Sequence, residues 1–358
     1  METLSSAVPA VRPRFWGRIA PALLLVVLAP VVAEFLLGDF SVRQLYLLLI
    51  LLPLYGGGAL LIREVTRRAG RGWPTIILLG AAYGIFEEGI TTMSLFNPDY
   101  AGGHLLRYGL VPVLGTSFAW DVFVVAIHVI FSISTPILIA EGVAGRRRTE
   151  PWLKTPGLVV AIALLVLGAL VNTAFQIATS HFVASPAQLV TVVVLIVALV
   201  MAAFAAFPRR LPDAAEPGSW RAWFAFPAVL VLLSALVGVR YGLPGRGVPP
   251  ALTIVLMLLL LAAVGGLVLA TSRRPGWAPM GYLAVAAGAV GTYSWVGLTA
   301  FLAGHTNIGA RTGPADVAGQ IVLILIVSGV IGLGVARNRP DRLAAVPQPA
   351  VAQEARAG

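Results

Sequence analysis

Apolar runs alternate with short polar connections along almost the whole chain. A helix needs about 20 apolar residues to cross the hydrocarbon core of a bilayer. Ten runs approach this length, and their bounds are 19–37, 42–62, 74–96, 117–141, 157–180, 186–207, 222–239, 248–271, 278–302 and 316–336. The pattern therefore predicts an all-α polytopic integral membrane protein with ten transmembrane helices.

The polar connections divide the chain into five predicted segments. Helices one to six occupy 19–207 and include the candidate site, and helices seven to ten occupy 222–336. Residues 208–221 form the linker between these two groups. An N-terminal tail covers 1–18, and a C-terminal tail covers 337–358. Because the linker and the C-terminal tail are rich in Pro and Ala, both are expected to be disordered.

Arginine placement predicts how the helices are oriented. Basic residues cluster before the first run and after every second run: Arg12, Arg14, Arg18, Arg63, Arg67, Arg68, Arg71, Arg146, Arg147, Arg148, Lys154, Arg209, Arg210, Arg221, Arg273, Arg274, Arg337, Arg339 and Arg342. The alternate connections hold only Arg43, Arg107, Arg240, Arg246 and Arg311. Since positive residues favour the cytoplasmic side, both termini are expected in the cytoplasm.

Composition agrees with a membrane location. The chain is 58% hydrophobic and 11% charged, whereas soluble domains carry about 25% charged residues. The net charge of +10 comes from the arginine clusters beside the apolar runs. We therefore expect the lipid bilayer as partner, no nucleic acid, and a multi-pass location in a bacterial-type inner (plasma) membrane. The absence of cysteine excludes disulfides, thiolate metal ligands and cysteine nucleophiles.

The first run also resembles a secretory signal peptide. Basic residues precede it, and Val31-Val32-Ala33 stands before Glu34 as a small-residue cleavage site would. Cleavage would leave nine spans and an external N-terminus. The run is long for a signal peptide, so an uncleaved helix is the preferred interpretation.

Two adjacent carboxylates, Glu87 and Glu88, interrupt the third run. A charged residue at mid-helix costs about 2.5 to 3.5 kcal/mol on insertion scales, so the pair needs partners, protons or an ion, and a functional role is the default expectation. Gly80 and Gly84 lie on the helical face of Glu88, where small residues allow close approach of another helix. Glu87 is turned about 100° away.

Polar stripes on the next two runs lie at a similar depth. Their members are Asp121, His128, Ser132 and Thr135 on the fourth run, and Asn172, Gln176 and Thr179 on the fifth. At about 1.5 Å rise per residue, Glu88, His128 and Asn172 lie roughly 12 to 15 Å from the external ends of their helices. The sequence therefore predicts one buried site formed by Glu87, Glu88, His128 and Asn172 in the outer half of the membrane.

The remaining polar residues have simpler interpretations. Taken alone, Asn172 is a typical interhelical hydrogen-bonding residue, and His128 is equally compatible with a hydrogen-bonded core histidine. Glu34 and Glu141 stand near predicted span ends and are expected at the interface. Glu64 beside Arg63 is expected to form a solvated cytoplasmic pair.

The segment Phe86-Glu87-Glu88-Gly89, followed one helix later by His128, resembles the CAAX-processing and bacteriocin-processing (CPBP) intramembrane protease family. That family carries the motifs E-E-x-x-x-R, F-x-x-x-H and H-x-x-x-N/D on successive helices. Glu87 and Glu88 match the paired glutamates, and His128 matches the first histidine. Thr92 stands at the arginine position, and no second histidine motif follows. The resemblance implies a protease whose glutamates and histidine surround an activated water, with a metal in some accounts.

Three functions fit this set of side chains. The first is a divergent metal-dependent hydrolase that holds a zinc-like divalent ion. Glu88 would be the general base or a metal ligand, and His128 a metal ligand or an oxyanion stabiliser. Glu87 would be the acidic partner of Glu88, and Asn172 would orient the group. Its substrate would be a membrane-embedded peptide or small molecule. The second is a proton-coupled secondary transporter with Glu88 as proton carrier. The third is a non-catalytic scaffold. The Gly-x-Ser-x-Gly, His-Glu-x-x-His and phosphate-loop motifs are absent.

Overall fold

The computed structural model describes residues 15–207, 219–272 and 277–339, and these are almost entirely helical. The α-helices are α1 Phe15–Pro30, α2 Leu48–Leu51, α3 Gly57–Arg68, α4 Trp73–Phe86, α5 Phe118–Ile127, α6 Thr135–Ala144, α7 Thr155–Ser180, α8 Pro186–Ala205, α9 Ala225–Gly242, α10 Pro250–Ser272, α11 Met280–Leu302 and α12 Pro314–Arg337. Short 3-10 segments are Val42–Leu47, Tyr100–Gly102, Gly145–Arg147, Trp220–Phe224 and Pro244–Arg246. One two-stranded antiparallel hairpin, β1 Leu110–Val111 with β2 Thr116–Ser117, lies between α4 and α5.

In the part of the chain that the structure describes, four helices contain a π-helical segment, in which each turn holds an extra residue. These segments are Val31–Leu36 after α1, Leu52–Gly56 before α3, Glu87–Thr91 after α4 and His128–Ser134 between α5 and α6. Single-turn π segments occur frequently at functional sites. All four helices pack together in the centre of the protein, and each contributes a polar side chain there.

Within the described ranges, nine helices are long and apolar enough to cross a membrane: Ile19–Leu36, Val42–Arg68, Phe118–Arg147, Thr155–Ser180, Pro186–Ala205, Trp220–Gly242, Pro250–Ser272, Met280–Leu302 and Pro314–Arg337. The predicted class, an all-α multi-pass membrane protein, is confirmed. The predicted third span corresponds to Trp73–Thr91 and is not among the nine. It holds both glutamates and ends at Thr91, two residues before Met93, whose φ is 55°.

Burial separates inner helices from outer ones. In the most apolar 18-residue stretch of each helix, 61% of the residues are buried in Ile19–Leu36 and 67% in Phe118–Arg147. Only 11% are buried in the corresponding stretches of α7, α8 and α10. The outer helices therefore present most of their apolar surface to lipid. The inner helices carry the buried polar residues, which is where a bilayer protein is expected to keep them.

Small residues set the distances between the inner helices. A Cβ atom at Gly84 would lie 3.0 Å from the Cβ of His128, and one at Gly80 would lie 3.5 Å from the Cα of Val129. The predicted close approach along this face of α4 is confirmed, and the approaching segment is His128–Ser134. Gly168 of α7 packs more tightly still, because a Cβ there would lie 2.3 Å from the backbone nitrogen of Leu54.

A buried ion network lies at the Arg-rich end of the inner helices, which corrects the expectation of a solvated Arg63–Glu64 pair. Both side chains are fully buried. Glu141 accepts from Arg63 Nε at 3.0 Å and from Arg67 Nη2 at 2.7 Å. Arg63 also pairs with Glu64 at 2.5 Å, and its guanidinium carbon lies 3.5 Å from the Trp152 ring centroid. Helix α3 continues well past the predicted span end at residue 62, so these charges remain inside the bundle.

Parts of the predicted segment boundaries fall outside the structure. Residues 1–14, 208–218 and 340–358, which make up most of the two predicted tails and the linker, lie outside the described residues. The predicted disorder of the linker and of the C-terminal tail stays a prediction.

The orientation of the helices is testable with single cysteines, because the natural chain has none. Val113 is exposed in the turn between β1 and β2, and Glu150 is exposed between α6 and α7. If basic connections are cytoplasmic, a membrane-impermeant maleimide should label Val113→Cys in intact cells. Glu150→Cys should react only after permeabilisation, and the cysteine-free parent should not react at all. The reverse labelling pattern would overturn the orientation.

Candidate functional site

Glu87, Glu88 and His128 form one buried group between α4 and α5. The Nε2 atom of His128 lies 2.7 Å from Glu88 Oε1, and its Nδ1 lies 3.5 Å from Glu87 Oε2. One ligand atom from each of the three residues falls within 4.8 Å of the others. Less than a tenth of the surface of each of the three residues is exposed. Two carboxylates and an imidazole at this spacing can hold a divalent cation.

Two π-helical segments aim these side chains at one another. The α-helical pattern of α4 ends at Phe86, and the π-helical segment begins at Glu87. The same change occurs at His128, where α5 ends. A π-helix has more residues per turn than an α-helix, so adjacent side chains are separated by a smaller angle around the helix axis. Both glutamates therefore reach His128, although α-helical geometry would turn them about 100° apart.

Glu88 is held by several hydrogen-bond donors. Its Oε2 accepts from the hydroxyl of Thr92 at 3.0 Å and from the hydroxyl of Ser94. The indole Nε1 of Trp120 donates to Ser94 Oγ at 3.1 Å. The chain leaves the helix directly after Thr92, which returns Ser94 toward Glu88. These contacts fix the carboxylate and favour its charged form.

Glu87 has a different environment. Its Oε2 atom is buried and has no hydrogen-bond partner among the residues that the structure describes, and the same is true of the hydroxyl of Tyr83. A buried carboxylate oxygen without a donor is costly, because it loses water and gains no hydrogen bond. Such an atom is available for a proton, a metal ion or a water molecule.

Sequence reasoning missed Glu34 and Tyr55, which extend the group on the side of α1. The hydroxyl of Tyr55 donates to Glu34 Oε1. The ring of Tyr55 stacks near the His128 ring, with centroids 6.2 Å apart and planes at 26°. Glu34 was expected at the membrane interface, but the π-helical segment Val31–Leu36 turns it inward. A carboxylate directly between apolar neighbours was the available signal.

Asn172 is not part of the group, which corrects the predicted four-residue site. Its amide nitrogen donates to the backbone carbonyl of Ile50 at 3.3 Å and to that of Gly168 at 2.8 Å. The close contact of Gly168 with Leu54 sets the rotation of α7 and turns Asn172 toward that neighbour. Asn172 therefore makes the interhelical and intrahelical bonds typical of a packing residue.

The connection that contains Asp39 contacts the connection between α11 and α12. The backbone nitrogen of Asn307 donates to the carbonyl of Gly38, the residue before Asp39, at 2.9 Å. Burial raises the pKa of Asp39 well above its usual range, and the nearby Glu34 carboxylate adds to this effect. Loss of solvent contact, followed by the negative charge of Glu88, likewise raises the pKa of Tyr100 well above its ordinary value. Asp39 and Tyr100 thus lie in the same electrostatic environment as the buried carboxylates.

The whole of this region falls within a known family. A family model described as an uncharacterized membrane protein family matches residues 23–342. The chain belongs to this family. Comparisons with curated proteins and with solved structures give no match. Membership agrees with the multi-pass architecture, and the matched range includes Glu34, Tyr55, Glu87, Glu88 and His128. No comparison links the family to the CPBP proteases, with which this chain has in common the paired glutamates and one histidine.

Proposed function

We propose that the Glu87–Glu88–His128 group binds one divalent metal ion and that the protein is a membrane-embedded hydrolase. The observation that carries the proposal is the ligand geometry, in which two carboxylates and an imidazole converge within 4.8 Å in a buried position. Both carboxylates have the imidazole of His128 as an ion-pair partner. A divalent cation would supply the second positive charge.

The hydrogen bonds of His128 fit a metal ligand. Its Nδ1 lies 3.1 Å from Ser132 Oγ, which can donate or accept, and 3.5 Å from Glu87 Oε2. With a metal ion on Nε2, the ring proton would stay on Nδ1 and be donated to Ser132 Oγ. Without the ion, Nε2 and Glu88 Oε1 are 2.7 Å apart, a distance at which a proton joins the two atoms. Binding of the ion would release that proton.

The three residues then have separate roles. His128 and Glu88 are the primary ligands, and Thr92 and Ser94 orient Glu88 through its second oxygen. Bound there, a divalent ion would polarise a substrate carbonyl and lower the pKa of a water molecule. Glu87 Oε2, which has no hydrogen bond of its own within the described chain, would be the acceptor for a proton from such a water. The substrate would be a membrane-embedded peptide or small molecule.

The metal content of the protein tests the proposal. Wild type, Glu88→Gln and His128→Ala would be purified in detergent and analysed by plasma mass spectrometry, with Glu150→Gln as a matched exposed control. One ion per chain is expected in wild type and in the control, with loss in both site variants. A wild type that stays metal-free after incubation with zinc, manganese and iron would overturn the metallohydrolase form of the proposal.

Ser132→Ala is expected to weaken metal binding by about 10- to 100-fold, since partners that orient a ligating histidine typically contribute that much. The hydroxyl lies 3.1 Å from His128 Nδ1, on the ring edge opposite Glu88. Competition with a fluorescent chelator would measure the affinity. Ser134→Ala, on the same π-helical segment, is the control, because its hydroxyl has no hydrogen-bond partner among described residues. Equal affinities in the two variants would remove Ser132 from the site.

A proton-coupled transporter is the second candidate, and the Tyr55–Glu34 hydrogen bond favours it. Glu34, Glu88 and Glu87 are three carboxylates grouped around one histidine, and such groups serve as proton relays in membrane carriers. Proteoliposomes containing a pH-sensitive dye separate the two candidates. Proton flux that persists in metal-free wild type and disappears in Glu88→Gln would favour the carrier.

A further inference from the structure

Arg240 is a buried cation outside the Glu/His group. It lies in the last turn of α9, two residues before that helix ends at Gly242, and only 6% of its surface is exposed. Its Nε atom has no hydrogen-bond partner, and no carboxylate of the described chain pairs with it. The buried Arg63 and Arg67 differ, because both pair with Glu141.

Aromatic rings surround this guanidinium. Its central carbon lies 5.5 Å from the ring centroid of Trp120, 5.8 Å from that of Phe123 and 5.3 Å from that of Tyr241. Cation–π attraction of this kind offsets part of the cost of burying the charge, but it provides no hydrogen-bond acceptor for Nε. A buried charge normally has an anionic partner as well. Here that partner is missing from the described chain.

The position of Arg240 indicates where the partner comes from. The end of a membrane-spanning helix lies at the level of the lipid headgroups, and aromatic residues such as Tyr and Trp concentrate there. Tyr241 is 61% exposed, so this contact of Arg240 lies at the surface of the protein. The guanidinium fork is suited to phosphate, which it can bind through two parallel hydrogen bonds.

We propose that Arg240, with Trp120, Phe123 and Tyr241, forms a binding site for a phosphate group at the membrane surface. Trp120 also connects this site with the buried carboxylates, because its indole nitrogen donates to Ser94, which in turn donates to Glu88. A phosphate bound to Arg240 would be separated from Ser94, which holds Glu88, by the indole ring of Trp120. The site holds the charged head of an amphiphile while its apolar part remains in the bilayer. This proposal does not depend on the proposed hydrolysis.

Binding of defined probes tests the site. The purified full chain in neutral detergent would be titrated with phosphatidylglycerol, phosphatidylcholine or inorganic phosphate, and native mass spectrometry would count bound molecules. Arg246→Gln is the matched control, because Arg246 is exposed one to two turns away and donates to the carbonyl of Gly242 at 2.9 Å. Phosphatidylglycerol should bind to wild type and to the control with affinities within about twofold, and at least about tenfold more weakly to Arg240→Gln.

The remaining outcomes separate the sources of phosphate. Arg240-dependent binding of inorganic phosphate alone supports the same site with a soluble ligand, and Arg240-dependent binding of phosphatidylglycerol alone supports a lipid. Unchanged lipid affinity in Arg240→Gln overturns the proposal. If that variant does not fold, Arg240→Lys decides, since it retains the charge and loses the fork. Wild-type affinity in Arg240→Lys would then overturn recognition through the guanidinium fork, because charge alone would suffice.

Discussion

Glu88→Gln is expected to lower hydrolytic turnover by at least about 10²-fold, through loss of a metal ligand, while the protein stays folded. The amide has nearly the volume of the carboxylate, and its oxygen can still accept from Thr92 and Ser94 in place of Oε2. It cannot supply the negative charge that a metal ligand requires, and its NH2 group would face His128 Nε2. We therefore expect the variant to keep the packing of α4 against His128–Ser134 and to lose the negative charge of the carboxylate.

Turnover and stability must be measured on the same preparation. Proteoliposomes would be supplied with a mixture of fluorogenic peptide and ester substrates, and thermal unfolding would be followed in parallel. Glu150→Gln, an exposed carboxylate between α6 and α7, controls for the chemistry of the substitution. A hydrolase loses turnover in Glu88→Gln and keeps its unfolding temperature. If wild type has no turnover and Glu88→Gln only changes stability, the group is a structural lock.

The agreement between sequence and structure at this group has a clear physical origin. A pair of carboxylates in an apolar run has few tolerable positions other than the protein interior. The glycines at 80 and 84 then indicate which face of the helix allows another helix to approach closely, and His128 lies at the matching depth. Burial cost, helix periodicity and depth are all properties of the linear chain, so Glu87, Glu88 and His128 could be placed together before the fold was known.

The π-helical segments explain what could not be predicted. Their extra residue per turn changes the face on which later side chains lie, and no simple sequence pattern specifies where it occurs. Glu34 was therefore expected at the interface, and Glu87 was expected to point away from Glu88. Asn172 failed for another reason: spacing identifies a polar face of α7, but the rotation of that face depends on the Gly168–Leu54 contact between distant segments.

The Arg63–Glu64 pair was expected to be solvated because the ends of the spans were placed by hydropathy alone. Charged residues at the end of an apolar run look solvated when the run is considered alone. In the bundle, α3, α6 and the segment that carries Trp152 enclose them, and each charge finds a partner within 3.0 Å. Whether such a residue is buried depends on whether other helices supply oppositely charged side chains, and this cannot be read from one helix alone.

Glu141→Ala is expected to destabilise the protein by about 3 to 5 kcal/mol, the usual cost of removing one partner from a buried ion pair. The substitution leaves Arg67 without a carboxylate and leaves Arg63 with Glu64 alone. Glu150→Ala is the control: Glu150 is 61% exposed in its pair with Arg147, so a change of about 0 to 1 kcal/mol is expected. Titration with SDS in mixed micelles would give both free energies of unfolding.

The contrast between this network and the Glu/His group makes the result informative. Glu141 accepts three hydrogen bonds from two arginines, whereas Glu87 Oε2 accepts none from the described residues. A satisfied network should lose stability when its carboxylate is removed, and an under-satisfied one should lose little or gain some. Glu87→Gln is therefore expected to leave the free energy of unfolding of the metal-free protein equal or higher. A loss in Glu87→Gln as large as that in Glu141→Ala would mean that both carboxylates serve the fold.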